Sequence, residues 1–153
     1  MKVIKSPFIL RNFLLLKQNI EFLPPPNNHE INIPEITDSY NIDMDFTIQD
    51  TLKPFFQIFV KVEINQNDPQ QLGYAIFSEG VGIFEFDNSV ELDELEKGNY
   101  LYFSGLSICI NSLRSIIANV TSHGPFGKYT FPSIDLNVLI NDKKSLTAKS
   151  ETK

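Results

Sequence analysis

Few residues in this chain have the type and spacing that catalysis or metal binding needs. Of its two histidines, His29 lies in a polar stretch with no Cys or His at ligand spacing. His123 stands where a helix must end, and the helix dipole there favours a cation without any further role. Cys109 is the single cysteine and sits inside an apolar helical seam, so it reads as a small hydrophobe and not as a nucleophile. Asp43 and Asp45 share one face of a strand and so could share a cation, but alternation on a wetted sheet face explains them better. No Gly-rich phosphate cradle, nucleophile elbow or zinc motif occurs. The reading is a non-enzyme, with no catalytic residue, no metal and no cofactor.

What remains is the chemistry of apolar contact. Phe occurs 13 times and Trp never, and several Phe residues stand in pairs or at alternate positions. Most must fill a core, but as a set they exceed what one thin sheet layer needs. The excess points to an oligomer interface or an exposed apolar groove. A formal charge of −6 argues against a phosphate-backbone binder, so no nucleic acid is expected. No apolar run approaches the ~18 residues of a bilayer span, and no secretory leader pattern follows Met1, so the expectation is a cytoplasmic protein with no membrane contact. A lone cysteine fits a reducing compartment.

The elements that would position these side chains run from strand to helix. Residues 8–22 are apolar, and Phe13-Leu14-Leu15-Leu16 suits a strand covered on both faces or a short buried helix. Pro24-Pro25-Pro26 opens a long polar connection reaching Tyr40. Residues 42–49 alternate apolar and polar without a fault. The next strand puts Phe56, Ile58, Val60, Val62 and Ile64 on one face, with Phe55, Gln57, Phe59, Lys61 and Glu63 on the other. Residues 72–77 return as a fourth strand, and the short connections imply antiparallel neighbours. Gly80 and Gly82 mark a bulge or a close backbone approach.

Residues 85–96 are strongly acidic, as a solvated loop or helix start would be, or as a steering patch for a basic partner would be. Tyr100, Leu101, Tyr102 and Phe103 lead into a long helix, where Leu106, Ile110, Leu113, Ile117 and Val120 follow at spacings of four and three. That seam, widened by Cys109 and Ile116, is the expected oligomer interface. Ser122-His123-Gly124-Pro125 stops the helix. Ile134, Leu136, Val138, Leu139 and Ile140 then make a short last helix. The domain is expected to span residues 1–141, with 142–153 a disordered polar tail.

This order of elements resembles the SecB export chaperone family. Ser112-Leu113-Arg114-Ser115-Ile116-Ile117, the break at Ser122-His123-Gly124 and the run Phe131-Pro132-Ser133-Ile134-Asp135-Leu136 are similar to that family's long helix, its small-residue break and the lead-in to its last helix. Gly82-Ile83-Phe84 resembles its Gly-Ile-Phe, and Ile42, Met44 and Phe46 its second-strand aliphatics. The resemblance spans residues 8–140. It implies an α+β fold, with a four-stranded antiparallel sheet carrying a long helix and a short C-terminal helix on one face, assembled as a homotetrameric dimer of dimers. It also implies an ATP-independent chaperone that binds unfolded polypeptide clients in apolar grooves. A holdase needs several shallow apolar subsites with adaptable side chains such as Met44. It protects clients by mass action on the unfolded form.

Ile42, Met44 and Phe46 opposite Leu136, Leu139 and Ile140 are the residues expected to line the client groove, with Phe55 and Phe59 as neighbours; the alternative is that they pin the last helix to the sheet. Export SecB hands clients to the motor SecA through acidic positions on its outer sheet face. Here Phe77 stands where that pattern has Glu, and Lys17-Gln18-Asn19-Ile20 resembles its Lys-Asp-Ile element with the acid gone. Glu21 and Glu79 lie nearby but displaced. Weak or absent SecA binding therefore favours service to an antitoxin in a toxin–antitoxin–chaperone module over general protein export. A scaffold subunit and a lipid- or metabolite-binding module are the other classes open to such a chain.

Overall fold

A computed structural model describes residues 1–25 and 33–150. Among them, four strands form one antiparallel sheet in the order β1-β4-β3-β2. They are β1 (Phe8–Leu23), β2 (Ile42–Leu52), β3 (Phe55–Ile64) and β4 (Gly73–Phe86). Short turns make β2, β3 and β4 a meander, and β1 adds to the far side of β4. A one-turn helix, α1 (Ile33–Asp38), precedes β2. The helical run after the sheet begins with α2 (Glu94–Asn99), passes through a π-helical segment, Tyr100–Gly105, and continues as α3 (Leu106–Thr121). A loop leads to α4 (Leu136–Ser150).

Period-two alternation decides which face is dry. Ile58, Val60, Val62 and Ile64 of β3 are fully buried, beside Ile76, Ser78 and Phe84 of β4. Above them lie Leu106, Cys109, Ile110, Leu113 and Ile117 of α3. The close approach of helix to sheet explains Gly82 and Gly105, while Gly80 makes room for the Phe13 ring of β1. A Cβ on Gly82 would stand 2.5 Å from Cys109 Sγ, and one on Gly105 would stand 2.4 Å from Ile58 Cδ1. Strand β4 is unbroken there; the irregularities lie in β1, between Leu10 and Asn12 and between Leu15 and Lys17.

This packing corrects the expected interface. Leu106, Ile110, Leu113 and Ile117 are at most 3% exposed within one chain, so the seam meets the chain's own sheet. Val120 alone of the five stays exposed. Heptad-like spacing reports a helix with one dry side and does not say whether a sheet or a second helix covers it. The surplus apolar surface instead lies on edge strand β1, where Leu14, Leu15 and Leu16 are 41–51% exposed. The two-sided cover expected for this stretch is therefore absent in the single chain.

The run Glu94–Thr121 has the length and composition of a membrane span, contrary to expectation, because Arg114 is its one charge after Lys97. Its buried side faces the sheet. The supposed tail also differs: residues 142–150 continue α4 as helix. Polar composition alone suggests disorder, but Lys, Ala and Leu are good helix formers, and Asp135 starts the helix by accepting from the N–H groups of Asn137 and Val138. His29, expected in a loop, lies outside the described residues.

Candidate functional site: an aromatic groove beside the last helix

The loop between α3 and α4 is fastened at both ends, and this fixes where α4 can lie. Tyr74, buried in β4, accepts from the Phe126 N–H (3.0 Å) and donates to the Gly127 carbonyl (3.0 Å). Thr121 accepts from the Tyr129 N–H at 2.9 Å. Burial raises the Tyr129 phenol to about 12. Asn65, fully buried with φ 55°, ties β3 to the start of β4 through the carbonyls of Gln71 and Tyr74. Further along, Arg114 of α3 donates to the carbonyls of Phe131 and Pro132, each at 2.9 Å, and lies over the Phe131 ring. These bonds satisfy N–H groups and carbonyls of a loop that has no ladder of its own.

From that clamp α4 runs beside edge strand β2. Ile140 is its one buried side chain among the described residues, Leu136 and Leu139 are half-buried, and Lys143 Nζ reaches Asp45 Oδ1 at 2.5 Å. Between α4, β2 and the π-helical segment a groove of about 400 Å³ remains open. Phe46, Ile48, Tyr102 and Ile140 make its apolar lining. The Phe46 and Tyr102 rings meet edge to face at 6.3 Å. Lys143, Lys144, Thr147 and Ala148 form the α4 rim, with Thr47 opposite. The ammonium groups stand over aromatic rings, Lys143 at 6.0 Å from the centre of Phe46 and Lys144 at 5.8 Å from Tyr102.

The π-helical segment separates this groove from a second cleft of about 680 Å³. Leu101 lines the second cleft with Phe56, Phe86 and Pro54; the next residue, Tyr102, lines the first. Ion pairs Asp50–Lys53 and Glu94–Lys97 belong to the second rim. Wider π turns of this kind often occur where a helix presents side chains to a ligand.

Of the eight predicted groove residues, Phe46 and Ile140 line the groove. Ile42, Met44, Leu136 and Leu139 are half-buried and pack against the core. Phe59 is a correction: it pairs with Thr47 and Val81 on the opposite face of the sheet, lining a shallow depression there with Lys61 and Glu79. Phe55, one residue before Phe56, also lies off this groove, at the β2–β3 turn. Sequence reasoning missed Ile48, which continues the Met44–Phe46 alternation, and Tyr102, which sat in a noted aromatic run. It missed Lys143, Lys144, Thr147 and Ala148 because apolar periodicity ends at Ile140.

Several of the other chemistry-bearing residues have structural roles. Burial pushes the Cys109 thiol up to about 12, the reverse of an activated nucleophile. In the acidic stretch, Glu85 pairs with Arg11, Asp93 and Glu96 form the capping box of α2, and Glu94 pairs with Lys97. On the outer sheet face, Lys17 lies over the Phe77 ring and Lys61 pairs with Glu63. Gln18 pairs with Ser78 across the ladder, on the helix-covered face, so it takes no part in an outer handover surface.

No protein-family model matches the chain, and no curated protein matches it. Among solved structures, the Mycobacterium tuberculosis Rv1957 SecB-like chaperone, in complex with a ChAD peptide from the Rv1956 HigA1 antitoxin, superposes with a TM-score of 0.60 at 13% identity. The match covers 84% of this chain and 91% of that one. The fold is SecB-like. A Streptococcus agalactiae protein of unknown function also aligns, with a TM-score of 0.43 at 10% identity, over 82% of this chain and 97% of that one.

Proposed function

We propose that this chain is an ATP-independent chaperone that holds non-native polypeptide, dedicated to an antitoxin in a toxin–antitoxin–chaperone module. The observation that carries the reading is the open groove lined by Phe46, Ile48, Tyr102 and Ile140 on a SecB-like fold. An aromatic lining with a helix as one wall suits extended apolar segments of varied sequence, because side-chain contact and not hydrogen-bond readout supplies the affinity. The chaperone that shares the fold was captured with an antitoxin peptide, which favours the same class of client here. No ATP, metal or catalytic group enters the reading. A single buried cysteine is consistent with a cytoplasmic site of action.

The outer sheet face supports the dedicated role over export. Two of its carboxylates, Glu85 and Glu63, are held by Arg11 and Lys61, and Phe77 is capped by Lys17. A basic partner such as SecA would have to displace these internal cations, so SecA binding is weak or absent in this reading. Assembly into a homo-oligomer is assigned to β1, whose unpaired edge carries Leu10, Leu14, Leu15 and Leu16 in exposed positions.

The test is suppression of aggregation of a chemically unfolded client, followed by light scattering. The unaltered chain is expected to suppress scattering near stoichiometric amounts. Tyr102→Ala with Ile48→Ser is expected to lose protection with an unchanged circular dichroism spectrum, and Val138→Ser, exposed on α4, to retain it. A chain that never suppresses scattering, or a groove variant as protective as the parent, overturns the reading. Protection of a genetically adjacent antitoxin from proteolysis separates the dedicated role from a general one.

A further inference from the structure

We infer that the groove between α4 and β2 selects client segments whose apolar side chains are flanked by carboxylates. This rests on the client-binding reading above and names the chemistry of the client. The chain as a whole carries −6, a balance that by itself attracts basic polypeptides. At the groove the sign reverses: among the described residues that line it, Lys143 and Lys144 are the charged groups, and none is Asp or Glu. Asp45 takes up Lys143 from just outside. Lys144 is exposed, with its ammonium 5.8 Å from the centre of the Tyr102 ring, and no carboxylate among the described residues forms an ion pair with it.

An ammonium held over an aromatic face is positioned at the mouth while its N–H donors still point to water. An apolar client side chain seated against Phe46 and Tyr102 would bring its neighbours to that height. A carboxylate there gains a partner, whereas a client ammonium meets a like charge. A partly exposed pair of this kind changes affinity by about two- to fivefold, and salt screens it. The second cleft has no such bias, because each of its rim lysines, Lys53 and Lys97, already faces an acid.

The experiment uses the full chain and three fluorescein-labelled peptides with one Leu/Phe core, flanked by Glu, by Gln or by Lys, with binding read by fluorescence anisotropy at low and high salt. Glu-flanked peptide is expected to bind about two- to fivefold more tightly than Gln-flanked, and Lys-flanked least, with the spread narrowing at high salt. Lys144→Glu is expected to abolish or invert the order, with Lys144→Gln between. Equal affinities, or a preference for the Lys-flanked peptide, overturn the inference and leave client binding standing. An order unchanged in Lys144→Glu overturns it too. Failure of all three peptides to bind overturns the chaperone reading, and the inference with it.

Discussion

Leu113→Ala tests whether the α3 seam is core or interface. Leu113 has no exposed surface in the single chain and lies over the β3–β4 layer. Truncation removes three carbons, which at about 0.8 kcal/mol per buried methylene is about 2.4 kcal/mol of lost transfer energy. Space that the sheet and helix cannot close adds up to about 2 kcal/mol. The expected loss is therefore about 2.5–4.5 kcal/mol, or a midpoint lowered by roughly 5–15 °C for a chain of this size. Urea titrations followed by far-ultraviolet circular dichroism, at two widely separated protein concentrations, would measure it. Assembly shifts parent and variant together with concentration, so their difference should stay constant. A difference below about 1 kcal/mol, or a variant that dissociates while its protomer keeps full stability, would refute the placement of the seam in the core.

Four further outcomes are expected. Cys109 should resist iodoacetamide at pH 8 until the chain is unfolded, because raising its pKa from 9.0 to about 12 lowers the thiolate fraction about a thousandfold; alkylation of the native chain at a free-thiol rate would count against it. The same shift makes stability fall with alkali: below pH 9 both states keep the proton, and between 9 and about 12 only the unfolded chain releases it, so stability is lost as pH rises, with Tyr129 adding in the same direction above 10. Arg114→Ala should cost about 2–3 kcal/mol by losing two charge-assisted bonds to the loop carbonyls, and should raise amide exchange in residues 126–135; an unchanged exchange pattern would contradict the clamp. Leu15→Lys with Leu16→Lys should reduce the oligomeric state measured by light scattering, whereas Val120→Lys should not; the opposite result would return the interface to α3.

The sheet was legible because its periods are clean. Ile42, Met44, Phe46 and Ile48 alternate with polar residues, and β3 alternates likewise, so the dry face followed from side-chain direction and antiparallel pairing from the short connections, whereas the place of β1 beside β4 did not. The α3 stripe was equally clear, but its partner was not: a buried stripe looks the same under a sheet and under a second helix. Strand β1 was the converse case. Four consecutive apolar residues suggest cover on both sides, and the structure places them on an edge strand, with Phe13 packed against the core and Leu14, Leu15 and Leu16 exposed. The groove was half legible. Its floor sits on a periodic strand, but its rim is built by polar side chains on α4, whose helicity follows from a cap and good helix formers and not from any apolar repeat.

The uneven anchoring of α4 bears directly on how the groove would work. At its start the helix is fixed by the Asp135 cap, by the Arg114 clamp on the preceding loop, and by Ile140 in the core. Beyond Ile140 the contacts are polar: Lys143 pairs with Asp45 and lies over the Phe46 ring, Lys144 lies over the Tyr102 ring, and Leu146 is exposed. Segments with few buried apolar contacts open locally at a small fraction of the global free energy. The wall carrying Lys144 is therefore expected to yield before the floor of Phe46 and Ile48, which pair with Val60 and Ile58 in the ladder to β3. A rigid aromatic floor with a hinged polar wall accepts side chains of different volume without repacking the core, as a binder of unfolded chains requires. Cross-linking position 144 to position 47 should then preserve the fold and narrow the range of peptides bound, bulky cores being lost first. Equal loss of small and bulky cores would mean that α4 is not the adaptable wall.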